Sequence, residues 1–295
     1  MNDHLFHTAP KTVGVIAGRM LIYALLILMV LYFLLPFIVM VLTSLKTMAD
    51  IRTGNLISWP REFTLDAWKT AWGSACIAVE CNGIKVYFWN SVKIVVPAVI
   101  ISTLIGAANG YVFSKWKFWG SEVLFSLLLL GCFIPFQAIL LPMAQTLGKL
   151  GLSQSLAGLI LVHIIYGLAF TTLFFRNYYV TIPDELVKAA RIDGAGFFRI
   201  FWKILLPVST PIFVVSVIWQ TTQIWYDFLF GVVFSAGGNQ PITVALNNLV
   251  NTSTGTKAYN VDMAAAIIAA MPTLLVYIVA GKYFVRGLTA GSVKG

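Results

Sequence analysis

Six apolar runs set the terms for what this chain can fold into. A helix that crosses a bilayer needs about 20 mostly apolar residues. The sequence supplies such runs at 20–42, 91–113, 123–143, 156–175, 207–234 and 263–285. Charged residues make up only 11% of the chain, where soluble domains carry about a quarter. Lipid, not water, is therefore the main solvent. The expectation is an all-α, polytopic membrane protein with six transmembrane helices in one transmembrane domain over 1–295. The first run is longer than a signal-peptide core and lacks a small-residue cleavage site after it, so it reads as an uncleaved first span. Prolines at 36, 97, 135, 142, 211 and 272 are tolerable in a bundle whose neighbouring helices and waters satisfy the freed backbone groups.

The net charge of +9 is where nucleic-acid binding would be sought, but no soluble basic domain is present to do it. The charge follows the loops instead, since Lys and Arg gather on the cytoplasmic side of membrane proteins. Lys115 and Lys117 follow the second run. Arg176, Lys188, Arg191, Arg199 and Lys203 follow the fourth, and Lys282, Arg286 and Lys294 close the chain. The loop after the third run offers Lys149, and that after the fifth Lys257. Both termini are thus expected in the cytoplasm. The first loop runs against the rule with Lys46, Arg52, Arg61, Lys69 and Lys85, among which Asp50, Glu62, Asp66 and Glu80 are interspersed. In it, "FTLDAWKTAW" has the spacing of a short amphipathic helix. Cys76 and Cys81 lie in the same loop with four residues between them. They can form a disulfide if the loop lies outside the cytoplasm. A metal pair there lacks further ligands nearby. Cys132, inside an apolar run, reads as a small core residue.

One charged stretch, 181–207, lies between the fourth and fifth runs. Thr181 with Asp184 three residues on resembles a capping box. Pro183 suits a first helical turn, Asp184 and Glu185 suit the dipole, and Asp184 precedes Lys188 by the favourable four residues. Gly194 and Gly196 are expected to end this helix. Ala189, Ala190, Gly194, Ala195 and Gly196 leave its backbone open to close approach. An apolar set follows at helical spacing (Phe197, Phe198, Phe201, Trp202, Leu205), with Arg199 and Lys203 placed to reach headgroups. This second piece is expected to lie along the membrane surface until Pro207 starts span five. The residues allow two roles, an interfacial anchor or a knob that docks into a partner's groove.

At these positions the sequence resembles a known family. Ala189-Ala190, three residues, Gly194, nine residues, Ile204, one residue and Leu206-Pro207 match the EAA loop of permease subunits of binding-protein-dependent ATP-binding-cassette importers. Lys188 departs from the family's Glu, and Glu185, one turn earlier, is the carboxylate that can compensate. "NSVKIVVP" at 90–97 is similar to the family's start of span two, and "GLTAGSVKG" at 287–295 to the tail of maltose-type carbohydrate permeases. "WYDFLFGVVFS", "QPITVALNNLVNTSTG" and "ACIAVECNGIKVYFWNSVKI" look most like permeases of glucose or mannose importers. The resemblance covers nearly the whole chain. It implies a sugar-moving subunit of the bacterial inner (plasma) membrane, paired with a second permease in a heterodimer, with a dimer of ATPase subunits and with an extracytoplasmic sugar-binding protein. Asp184, Glu185, Lys188, Ala189, Ala190, Asp193 and Gly194 would then dock on the ATPase. Gly291, Ser292 and Lys294 of the tail would reach between the ATPase subunits.

No P-loop pattern is present, since "TLGKLG" lacks the first Gly and the Ser or Thr. The chain is therefore expected to be no enzyme and to hold no cofactor, with ATP and Mg bound by the partner ATPase. Gln137, Gln220, Thr221, Thr222 and Gln223 are uncharged polar residues in spans three and five. They either line a sugar path or make helix-to-helix hydrogen bonds. His163 reads as a packing residue with no acid at its depth. Asp227, twenty residues beyond Pro207, is expected about 30 Å away at the outer interface. An ion-coupled secondary transporter would show midplane ionisable groups or inverted repeats. A membrane-embedded enzyme would need more than the chain's three His. An exporter permease differs from the importer reading in needing no binding protein.

Overall fold

The computed structural model describes residues 13–116, 118–251 and 257–290, with side chains from Val15 to Ala280. The tail residues Gly291, Ser292 and Lys294 lie outside the described residues. Among those described, the chain is helical and no β-strand forms. Four helices are long and apolar enough to cross a membrane: α1 (Val13–Ser44), α4 (Lys85–Lys115), α7 (Leu156–Val180) and α14 (Tyr259–Ala290). Two bent pairs bring the number to six if each is one span: α5 (Ser121–Phe133) with α6 (Phe136–Lys149), bent by 103°, and Phe197–Val208 with α11 (Thr210–Tyr226), bent by 79°. The protein is a multi-pass, all-helical membrane protein.

Two of the expected spans need correction. The run 123–143 is not one helix but breaks at Ile134 and Pro135. Proline lacks an N–H and pushes the preceding residue out of the helical region. The run 207–234 also divides. Pro207 lies inside the preceding helix, which bends at Ser209, and α11 begins at Thr210. It stops at Tyr226 because the Asp227 carboxylate accepts the N–H groups of Phe230 (3.2 Å) and Gly231 (3.0 Å), capping a new short helix, α12 (Leu229–Phe234). Hydropathy cannot see either break, since the flanking residues are apolar on both sides.

The contacts gather into two compact units, Met1–Trp68 with Ala258–Ala264, and Lys69–Lys257 with Ala265–Gly295. In the first, α2 (Met48–Thr53) is capped by Thr47, whose hydroxyl accepts from the Asp50 N–H at 3.2 Å. Lys46 is buried, and its ammonium donates to the Asn55 carbonyl (3.2 Å) and the Ser58 hydroxyl (3.0 Å). Asp50 accepts from the Arg61 N–H at 2.8 Å and faces its guanidinium at 3.5 Å. Two of the loop charges that ran against the orientation rule are thus used by the loop's own fold. The expected helix in "FTLDAWKTAW" is α3 (Asp66–Gly73).

In the second unit, α4 and α7 form the most extensive helix contact. Its cause is local. A Cβ on Gly106 would stand 2.3 Å from the Thr171 hydroxyl, and one on Gly110 would stand 2.6 Å from the Phe175 Cβ. Small residues four apart let two backbones approach closely in lipid, where dispersion and hydrogen bonds drive helix association. The approach lets Thr171 donate to the Ser102 carbonyl at 3.1 Å. Helix α11 joins the pair through Gln220, whose amide donates to the Ser102 hydroxyl at 2.6 Å. Gly110→Leu is therefore expected to destabilise the bundle by about 1–3 kcal/mol through overpacking. The measurement is the thermal aggregation midpoint of purified protein; an unchanged midpoint would show that the seam is loose.

Cys76 and Cys81 are joined in a disulfide. It closes a small hairpin in which Ile77 and Glu80 exchange backbone hydrogen bonds of 2.8 and 3.2 Å. So short a loop restricts the unfolded chain only modestly, by about 3 kcal/mol at most. The Cys76→Ser, Cys81→Ser double variant is expected to insert and assemble with at most a partial loss of function. Alkylation of both thiols in unreduced, denatured protein from native membranes would show that the bond does not form.

Candidate functional site: an anchored knob and a polar cavity

Helix α8 (Asp184–Ile192) carries five of the seven residues expected to dock, and Asp193 and Gly194 follow it. Its N-cap is Pro183, not Thr181. The Thr181 hydroxyl donates to the Tyr178 carbonyl at 2.7 Å and so closes α7 instead. The residue before a proline is biased away from helix, which moves the helix start past the expected capping box. At the other end the reading holds. Gly194 has φ +77°, the Ala195 N–H reaches the Ala190 carbonyl (2.9 Å) and the Gly194 N–H the Arg191 carbonyl (3.0 Å). That is a Schellman closure around a left-handed glycine. Gly196, at φ −77° and ψ 175°, is ordinary extended backbone at the start of the next helix.

The knob has two faces. Asp184, Glu185, Lys188, Ala189, Asp193 and Gly194 are exposed, and Ile192 is 87% exposed. Ala190 is not available for docking. It is 7% exposed and packs, with Val187, among Tyr111, Phe175, Tyr179, Ile200, Phe201 and Leu205. Its smallness serves the inside of the knob. The aromatic piece that follows, comprising α9 (Phe197–Ile200), a π-helical turn (Phe201–Leu205) and α10 (Leu206–Val208), divides in the same way. Phe201 and Leu205 are buried and Phe197 stacks on Tyr111 at 4.7 Å, while Phe198 and Trp202 stay exposed. Only the exposed pair fits the expected surface-lying stripe.

Two residues that hold the knob in place were read from sequence only as loop charge. Lys115, at the end of α4, has its side chain 4% exposed, and its ammonium reaches the Ile182 carbonyl and the Asp184 carboxylate, both at 2.5 Å. Arg191 lies over the Trp116 ring at 4.6 Å and donates to the Lys115 carbonyl at 3.4 Å. No local pattern joins residues so far apart in the chain; only the fold brings the end of α4 to α8.

At the opposite ends of α7 and α11 from the knob lies a cavity of about 400 Å³. Phe136, His163, Tyr166, Trp219, Gln220, Thr222, Gln223, Tyr226, Asp227 and Phe230 are among its lining. Of the expected path residues, Gln220, Thr222 and Gln223 line it. Gln137 is exposed and Thr221 half-buried, and neither belongs to the lining. Gln220 also makes the expected helix-to-helix bond, its amide donating to the Ser102 hydroxyl at 2.6 Å. One expectation is corrected here. His163 does have an acid beside it, since its Nε2 stands 3.7 Å from the Asp227 carboxylate. Asp227 lies at the end of α11 away from the knob and turns inward, its side chain 17% exposed. The end of α11 at Tyr226 is what turns it.

This arrangement belongs to a known class. The chain is a member of the family described as binding-protein-dependent transport system inner membrane components, whose model matches residues 98–289. It is 48% identical over 176 residues to the probable ABC transporter permease protein PH1216 of Pyrococcus horikoshii, covering 59% of this chain and 63% of that protein. It is 31% identical over 308 residues to the xylose/arabinose import permease protein XacI of Haloferax volcanii, covering 96% of each. A solved bacterial ABC transporter involved in the import of the acidic polysaccharide alginate shares the fold, with a TM-score of 0.82 and 20% identity over 94% of this chain and 100% of that one.

Lys115→Met removes the ammonium that ties α8 to α4. A hydrogen bond to a charged group contributes about 1.5–3 kcal/mol. Amide exchange over 184–192 should then quicken by about tenfold or more, since 1.4 kcal/mol is a factor of ten. Unchanged exchange in that segment would show that packing alone holds the knob.

Proposed function

We propose that this chain is the permease subunit of an importer that moves a carbohydrate, driven by ATP hydrolysis in separate subunits. The observation that carries the reading is the knob: a short helix with a left-handed cap, a buried inner face and an outer face of small and charged groups, pinned to the end of a span. Such a body can enter a groove and pass motion to α4 through Lys115 without deforming. The family match supports dependence on a binding protein, and the relative from Haloferax volcanii supports a sugar cargo. In this reading six spans cross the membrane, both termini and α8 lie in the cytoplasm, and a second permease completes the path. ATP and Mg belong to the ATPase dimer. Within the carbohydrate class we assign glucose or a related monosaccharide, on the resemblance of the segments around 76–94, 225–235 and 240–255. The pentose named for the same relative makes another carbohydrate the nearest rival, and uptake of labelled glucose against labelled xylose separates them.

Crosslinking tests the docking. Lys188→Cys and Ile192→Cys should couple to the ATPase subunit through a short bis-maleimide, and Ala190→Cys, facing inward, should not. Labelling of Lys188→Cys from outside intact cells would sink the orientation.

Gly194→Val tests the coupling. A Cβ there meets nothing within 4 Å inside the chain, so the effect is conformational. A left-handed β-branched residue costs about 1–2 kcal/mol. Import should fall several-fold while the spans still insert; normal uptake by a normally expressed variant would count against it.

A further inference from the structure

We propose that the cavity at the outer ends of α7 and α11 binds a single neutral sugar unit, and that Asp227 makes it reject anionic sugars. The proposal rests on the importer reading and deepens it.

A pyranose ring has a weakly polar C–H face and a rim of hydroxyls. A site for it needs an aromatic surface beside hydrogen-bonding groups that are not already consumed by helix packing. The cavity has both. Trp219, held edge-on by Phe174 at 5.5 Å and packed on Phe170 at 4.6 Å, offers a fixed indole. Tyr166, packed on Phe170 at 6.1 Å and Phe230 at 5.6 Å, offers a second ring with a hydroxyl. Gln223 is exposed and lines the space. A volume of about 400 Å³ sits at the small end of the range for small-molecule sites.

Asp227 supplies the selectivity. An ionised carboxylate has about four acceptor positions. Two accept the Phe230 and Gly231 N–H groups, and the Leu229 N–H lies beside them. The acceptor capacity left over can meet donors that approach from the cavity, and vicinal hydroxyls are such donors. Among the described residues no Lys or Arg lines the cavity, so a sugar carboxylate or phosphate would meet a like charge with no Lys or Arg to offset it. His163 stands 3.7 Å from the carboxylate and is itself buried.

The helix breaks point the same way. Both the interruption before Phe136 and the one at Asp227 border this cavity. Non-helical backbone at membrane depth is tolerated only where protein or a water-filled space satisfies it. The two breaks therefore place irregular backbone beside the aromatic surface.

The test is saturation-transfer difference NMR on the purified complete transporter, both permeases and the ATPase dimer, without the binding protein. The probes are D-glucose, D-xylose and D-glucuronate. At least one neutral sugar should give a signal about tenfold above that of glucuronate. Trp219→Leu should weaken the neutral signal about tenfold. Asp227→Asn removes the charge and keeps one of the two cap hydrogen bonds, since Asn accepts through Oδ1 alone. It should weaken the neutral sugar about tenfold and bring glucuronate level with it. No neutral-sugar signal in the wild type, equal binding of glucuronate, or neutral signals unchanged in both variants would each overturn the proposal. Binding-protein-stimulated uptake by the wild type tests the importer reading separately, and its success with unchanged variants would sink this site alone.

Discussion

The close approach of α4 and α7 is the contact on which the rest of the second unit depends. Two spans in lipid gain little by hiding apolar surface, because the lipid is as apolar as they are. What holds this pair is backbone proximity, made possible where Gly106 and Gly110 leave no side chain between Thr171 and Phe175 and their facing turn. Proximity then brings polar groups into range: Thr171 to Ser102, and Gln220 to Ser102. Both functional ends hang from this pair. Lys115, the last residue of α4, holds α8. His163, about two turns into α7, faces Asp227 at the other end. A helix of 25 residues is about 37 Å long at 1.5 Å per residue, so the seam joins the knob and the cavity as one stiff strut.

Much of this was legible in the sequence, and the reason is that lipid imposes simple rules. Length and hydropathy identify four uninterrupted spans and both stretches that became bent pairs. The knob was readable because its ends use local chemistry, and Gly194 adopts the left-handed cap its position suggested. The cysteine pair was readable as one possibility among two.

What escaped the sequence lies at two scales. At the short scale, apolar residues continue through both helix breaks, so neither Ile134–Pro135 nor Asp227 interrupts a hydropathy profile. Prolines tolerated elsewhere, such as Pro97 inside α4, make Pro135 uninformative alone. Thr181 satisfied a capping pattern but had already been taken by the end of α7. At the long scale, Lys115 and Ala190 were assigned by charge and size, properties that say nothing of direction. Their roles come from which face the fold turns inward. Gln220 lay between two readings because a buried amide has enough donors and acceptors to serve both a neighbouring helix and a cavity.

The elbow at Ser209 has a mechanical consequence. The twelve-residue arm Phe197–Val208 meets α11 at 79°, and Ser209 at the joint is buried, its hydroxyl bonded to the Leu205 carbonyl. Such an arm is about 18 Å long at 1.5 Å per residue. A buried, hydrogen-bonded corner behaves as a crank and not as a universal joint. A tilt of about 10° in α11 would swing the far tip through about 3 Å, given that length. Torque applied near Gly196 would return along the same arm with the same leverage, so the geometry is symmetric between push and pull.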